Sequence, residues 1–157
     1  MKTILRVAYR CAYKLALCYW FVFRPTEQGA YVAVWSHDRL LLIKNSYKSG
    51  YTLPSGGIKK NESVKSAAAR ELAEEVGIVV SPDDLRLIQE FQSTSEFKTD
   101  RSTVFELHLA KEPTITKDRI EVTDLEFVPA AEVKTRMLTT IAKQYVDQLG
   151  TTSGPEQ

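Results

Sequence analysis

The segment from Ser55 to Gly77 permits few folds. It runs through two adjacent glycines, a polar turn, Ser63 as an N-cap residue, a helical stretch from Val64 to about Val76, and Gly77 as its stop. The last turn of that helix holds Glu71, Glu74 and Glu75. At i, i+3 and i+4 they share a face and repel one another. They also crowd the helix C-terminus, where the macrodipole disfavours each anion by roughly 0.5 kcal/mol. Val64, Ala68 and Leu72 form the apolar stripe, and helical geometry puts Glu71 and Glu75 close beside it. Those two acids therefore lean toward the fold. Arg70 is the only basic residue close by in sequence, and one guanidinium cannot neutralise three carboxylates. A hard divalent cation can. For the helix alone, a solvated acidic face is the equal alternative. Gly56 and Gly57 change the balance, because they let the backbone approach a ligand closely. A glycine loop beside an acid-lined helix suits phosphates bridged by metal.

The same residues match a known signature, Gly-x5-Glu-x7-Arg-Glu-U-x-Glu-Glu-x-Gly-U, with U aliphatic. Gly56, Glu62, Arg70-Glu71-Leu72, Glu74-Glu75 and Gly77-Ile78 fill every specified position. In this the chain resembles the Nudix hydrolase family. A looser similarity runs from about Gly29 to Val133. It includes Leu40 to Lys44 before the box and Glu121 to Pro129 after it.

The resemblance implies an α/β (α+β) fold, a mixed β-sheet sandwiched between α-helices. It implies hydrolysis of a phosphoanhydride bond in a nucleoside-diphosphate-linked substrate, with Mg2+ or Mn2+ as cofactor. Glu71, Glu74 and Glu75 would bind the metal, with the main-chain carbonyl of Ser55 as a further ligand. Arg70 would orient Glu71, and Glu62 would brace the loop or hold a water. The general base is Glu71 within the box or Glu121 beyond it; Glu90, Glu96 and Glu106 are weaker candidates, read as exposed strand residues. Gly56 and Gly57 would meet the substrate. Lys59 in the loop and Lys44 at the end of the preceding strand are the cationic candidates for its phosphates. Ser55, Lys59 and Asn61 depart from the residues common in the family, and none of these changes removes a metal ligand. Asn61 tolerates the left-handed conformation that glycine often takes there. Without the downstream marks of other family members, the resemblance implies a nucleoside triphosphate or a nucleotide sugar as the expected substrate. Dinucleoside polyphosphates, RNA 5′-pyrophosphates and a non-catalytic nucleotide-binding regulator are the alternatives. Tyr47, Tyr51, Trp35 and Phe97 offer rings to a base, although packing is the plainer use of each.

The rest of the chain sets the frame. Its 157 residues suit one domain with a real core. A net charge of +1 gives no general pull toward polyanions, so no stable nucleic-acid partner is expected. Residues Met1 to Phe23 read as a helix with Lys2, Arg6, Arg10 and Lys14 at every fourth position and no acid. Its longest uncharged run is too short to span a bilayer. Cys11 and Cys18 lie beyond disulfide reach of each other on this helix and are expected to be half-buried thiols of a cytoplasmic protein. The helix would pack on its own domain, pair with a second copy in a homodimer, or make peripheral contact with an anionic membrane. The expected organisation is thus residues 1–24 as an amphipathic helix, 25–150 as the Nudix-like domain and 151–157 as a polar tail. Thr26 to Gly29 reads as a turn, Ala30 to Trp35 and Leu40 to Ile43 as a hairpin, and Tyr51 to Leu53 as a short strand. Leu85 to Thr94 and Thr103 to Leu109 read as strands joined by a polar loop. Glu121 to Val128 reads as a strand, and Ala130 to Leu149 as one helix.

Overall fold

The computed structural model describes residues 2–116 and 121–149. The side chains of Lys2 and Arg6, and the expected tail 151–157, lie outside the described set. The chain runs α1 (Lys2–Phe23), β1 (Thr26–Ser36), β2 (Arg39–Asn45), β3 (Tyr51–Thr52), β4 (Ser55–Gly57) and α2 (Val64–Val76). After a 3-10 turn at Pro82–Asp84 come β5 (Arg86–Ser95), β6 (Lys98–Leu109), β7 (Val122–Pro129), α3 (Ala130–Val133) and α4 (Thr140–Leu149).

The strands form one seven-stranded mixed sheet in the order β3-β2-β1-β6-β5, with β4 paired to β1 and β7 to β2. β1 and β6 are parallel; the other pairs are antiparallel. Side chains alternate across the sheet as strand geometry requires. Val32, Val34, Leu41, Ile43, Phe105 and Leu107 face α2 and pack on its Ala68 and Leu72. Ala33, Trp35, Leu40, Leu42 and Val104 face the opposite way onto Ile141, Tyr145 and Val146 of α4. The expected mixed sheet between helical layers is the fold.

Four sequence expectations need correction. Thr26 to Gly29 is strand, because its backbone runs parallel to Thr99–Ser102, a partner distant in sequence. The loop expected through Lys98, Thr99 and Asp100 is also strand. β5 and β6 close as a tight hairpin in which Glu96 and Phe97 both take positive φ, 53° and 66°. The single helix expected over Ala130 to Leu149 is broken at residues 134–139. There the Met137 carbonyl accepts from Tyr51 N–H at 2.7 Å and Thr139 N–H donates to the Tyr51 carbonyl at 2.8 Å, so this backbone serves β3 instead of a helix. Cys11 and Cys18 are exposed rather than half-buried.

Ser63 caps α2 by accepting from Ser66 N–H, and Gly77 ends it at φ 73°. Asn61 does adopt the left-handed region, at φ 63°. α1 ends where Arg24 turns left-handed, φ 45°, ahead of Pro25. It lies across one end of the sheet, held by contacts to the loop after β2, to β1 and to the β5–β6 turn.

Candidate active site

β4 is the floor of the site. It hydrogen-bonds to β1 on one side and meets α2 on the other. A Cβ at Gly56 would lie 2.0 Å from the Glu71 carboxyl carbon, so any larger residue would have to displace that carboxylate from its place beside Arg70. Gly57 has no such neighbour. Arg70 ties the loop to the helix. Its Nε donates to Glu62 Oε1 at 2.8 Å, and Nη2 donates to Glu62 Oε2 and the Gly57 carbonyl, each at 2.9 Å. Nη1 reaches Glu71 Oε1 at 2.5 Å and Glu74 Oε2 at 3.1 Å. Glu62 also accepts the Lys59 N–H at 2.9 Å, which closes the turn. These donors, Arg70 foremost, hold the Glu62 carboxyl down at about 2.

Glu75 sits deeper and is only 3% exposed. Its Oε2 accepts the Ser55 N–H at 2.8 Å, and Oε1 lies 3.5 Å from Asn45 Nδ2. Burial, reinforced by the nearby Glu121 and Glu71 charges, pushes its pKa up to about 8. Asn45 carries the chain of contacts onward: Nδ2 donates to the Tyr47 hydroxyl at 3.1 Å, which donates to Glu121 Oε1 at 2.9 Å. Asn45 Oδ1 is buried and has no hydrogen-bond partner.

Above β4 opens a cleft of about 400 Å³. Ser55, Gly56, Gly57 and Glu121 form one wall, and Tyr9, Tyr13 and Trp20 of α1 form the roof. Tyr47 stands between the two, its ring centroid 5.2 Å from that of Tyr13. Trp20 is fixed by donating Nε1–H to Glu27 at 3.0 Å and by Lys98 Nζ, 4.1 Å from its ring centroid.

Of the residues expected here, Glu71, Glu75, Glu121, Arg70, Glu62, Ser55, Gly56 and Gly57 converge around β4. Among the described residues no three acidic, histidine or cysteine side chains are grouped tightly enough to hold a metal as they stand; Arg70 pairs with Glu71 and Glu74. Ser55 meets Glu75 through its N–H rather than its carbonyl. Glu74 is exposed and shares itself with Lys59, 3.5 Å away. Lys59 is exposed and is not among the residues that line the cleft. Lys44 is not brought to the site; it lies over the Tyr51 ring on the α4 side of the sheet, 5.7 Å from the centroid. Glu106, expected to be exposed, is buried on that same side, where it accepts from Tyr145 at 2.6 Å and from Arg86 at 2.5 Å. Glu90 is exposed, and Glu96 accepts a hydrogen bond from Tyr13. Trp35 is core, its Nε1–H donating to Tyr145. Sequence reasoning missed Asn45 and the roof of α1. An asparagine closing a strand whose centre, Leu40 to Ile43, is aliphatic is the one signal that pointed to the former.

A metal fits this set. A carboxylate buried beside two others, with an amide oxygen left without a donor, is the environment a hard divalent cation relieves.

A family model described as NUDIX domain matches residues 25–149. No curated protein matches this sequence. Solved structures of similar fold include a MutT NUDIX hydrolase from Burkholderia pseudomallei, 21% identical, covering 79% of this chain and 98% of that one with a TM-score of 0.70. The NUDIX domain of Shewanella oneidensis NrtR, complexed with ADP ribose, is 18% identical over 82% of this chain and 89% of that one, TM-score 0.70. A bifunctional NMN adenylyltransferase/ADP ribose pyrophosphatase from Francisella tularensis, complexed with AMP and a manganese ion, is 19% identical. It covers 95% of this chain and 48% of that one, with a TM-score of 0.70.

Proposed function

This chain belongs to the Nudix family as a pyrophosphohydrolase, and from that premise we propose that it cleaves a phosphoanhydride bond in a nucleoside-diphosphate-linked substrate with the help of Mg2+ or Mn2+. Glu75 carries the reading: its carboxyl is buried at the end of the glycine strand that lines the cleft, beside an unpartnered amide oxygen. Glu71, Glu74 and Glu75 would hold the ion, with the Ser55 carbonyl as a further donor. When bound, the ion supplies neutralising charge and Lewis acidity to the diphosphate.

The remaining work falls to the chain. Arg70 and Glu62 hold the glycine strand at a fixed height over α2, so the reacting phosphate meets backbone rather than side chain. Glu121 is the better-placed base, because it lines the cleft while Glu71 is pinned against Gly56 and Arg70. It would take the proton from the attacking water, with the Tyr47 hydroxyl donating to its Oε1 and so fixing the carboxylate. The cavity is in the range that holds a nucleotide, and the Tyr13, Tyr47 and Trp20 rings offer faces for a base. Neighbours of the same fold hold ADP ribose and AMP with manganese. This supports a nucleoside triphosphate or a nucleotide sugar. The exposed free thiols fit a reducing, cytoplasmic setting.

The test is phosphate release across a panel of nucleoside diphosphate derivatives with Mg2+ or Mn2+. Glu74→Gln and Glu75→Gln should each lower kcat by at least ~100-fold with the fold intact. Turnover unchanged in both variants removes the assigned metal site. A change under ~3-fold in Glu121→Ala removes that residue from the chemistry. Nucleotide binding without turnover under any metal would turn the reading to a non-catalytic Nudix protein.

A further inference from the structure

α1 has two apolar faces, and the domain covers only one of them. Tyr9, Tyr13 and Trp20 turn inward over the cleft. On the opposite side of the helix lie Ile4, Leu15 and Val22, which are 74%, 72% and 68% exposed, with Val7 and both exposed cysteines on the same strip. An apolar helix face is normally covered by a partner surface. A contiguous exposed strip of this kind marks a contact surface. Among the described residues, no helix is long and apolar enough to cross a membrane.

Charge identifies what covers the strip. α1 contains no acidic residue over its 22 positions. Arg10 and Lys14 are exposed along one border of the strip. On that border, α1 and the loop after β2 form a groove of about 380 Å³, where Arg10, Lys14, Lys48, Ser46 and Ser49 surround an apolar floor of Tyr13, Leu17 and Tyr47. Arg10 is positioned there by donating Nε–H to the Ser46 carbonyl at 3.1 Å. The Ser46 hydroxyl is buried and has no hydrogen-bond partner. A second copy fits poorly, since a two-fold pairing of α1 with itself would set two acid-free cationic helices side by side. An anionic bilayer matches both parts, with aliphatic side chains entering the interface and cations among the headgroup phosphates.

We propose that α1 and the Ser46–Ser49 loop dock this protein on an anionic lipid surface. The Ile4–Leu15–Val22 strip sinks into the interface, and Arg10, Lys14 and Lys48 hold headgroup phosphates. The Ile4–Leu15–Val22 strip lies on the side of the helix away from the cleft, whereas the groove borders the cleft, since Tyr13, Tyr47 and Lys48 line both.

Co-sedimentation of the full chain with vesicles tests it. Binding to phosphatidylcholine vesicles containing about one-third phosphatidylglycerol should exceed binding to phosphatidylcholine alone at least ~10-fold, and should fall toward the neutral-lipid level in high salt. Leu15→Asp with Val22→Asp should abolish sedimentation while circular dichroism and turnover of a soluble substrate stay unchanged. Lys14→Glu with Lys48→Glu should weaken it at least ~10-fold without altering the apolar strip. Absence of binding, or equal binding to neutral and anionic vesicles, overturns the proposal. So does a dimer in light scattering that Leu15→Asp with Val22→Asp converts to monomer, which would make a second copy the occupant. Binding of inorganic phosphate in the groove without any vesicle association would reassign it to a free anion.

Discussion

Glu75 is an acid held out of reach of water, and its pKa of about 8 against the ordinary 4.5 has a definite sign. Between those two values the folded chain keeps a proton that the unfolded chain has released. The metal-free fold therefore loses stability as pH rises through that window, and the loss levels off above about 8. Glu75→Gln removes the ionisation. It still accepts the Ser55 N–H, and its new amide can donate to the unpartnered Asn45 Oδ1. In thermal melts without metal, Tm should rise by about 5 °C or more at pH 8 and by less at pH 6, while turnover is lost. An equal gain at both pH values would remove this account. A second contrast sits one strand away. Gly56→Ala drives a methyl into the Glu71 carboxyl and should cost about 1–3 kcal/mol in denaturant unfolding. Gly57→Ala meets nothing within 4 Å and should cost well under about 1 kcal/mol.

Among the elements, the β5–β6 hairpin shows local preference giving way to contacts elsewhere. Two successive positive-φ residues suit Asn-Gly, yet this turn holds Glu96 and Phe97. Both touch α1: Glu96 accepts from the Tyr13 hydroxyl, and the Phe97 ring meets Phe21 edge-on at 5.1 Å. Side chains that hold α1 thus sit in a conformation they disfavour. Glu96→Asn with Phe97→Gly should relieve about 1–2 kcal/mol of strain and raise the midpoint of domain unfolding. The same double variant should loosen α1, raising the KM for substrate by a few-fold and speeding proteolysis within residues 2–23. A more stable domain with α1 held as before would separate the turn from the helix. The broken helix after β7 has the same kind of origin, because residues 137–139 pair with Tyr51.

For the whole molecule, the sheet keeps two polar centres apart. On the α2 side, Glu75 stays protonated near neutral pH, so a divalent cation must displace its proton. Calorimetry of Mg2+ binding in buffers of different ionisation heat should report close to one proton released at pH 7, with affinity rising until about pH 8. Release of no proton would mean that Glu75 is not a ligand. On the α4 side, the buried Glu106 is held below the usual carboxylate range by hydrogen bonds from Tyr145, Arg86 and His108, which outweigh its desolvation. Its contribution is present above the ordinary carboxylate pKa and is lost as pH falls through its depressed value. Metal-free stability is accordingly eroded from both directions.

Local chemistry was readable directly from the chain. The run from Gly56 to Ile78 specifies a glycine approach, an N-capped helix and crowded carboxylates, because each is set by neighbours within a few residues. Ser63, Gly77 and left-handed Asn61 follow from the same short-range rules. The pairing of β1 with β6, the Glu75–Asn45–Tyr47–Glu121 chain and the roofing of the cleft by α1 join residues far apart in sequence. Only the tertiary structure decided them, since periodicity reports which face of an element is apolar but not what that face will meet.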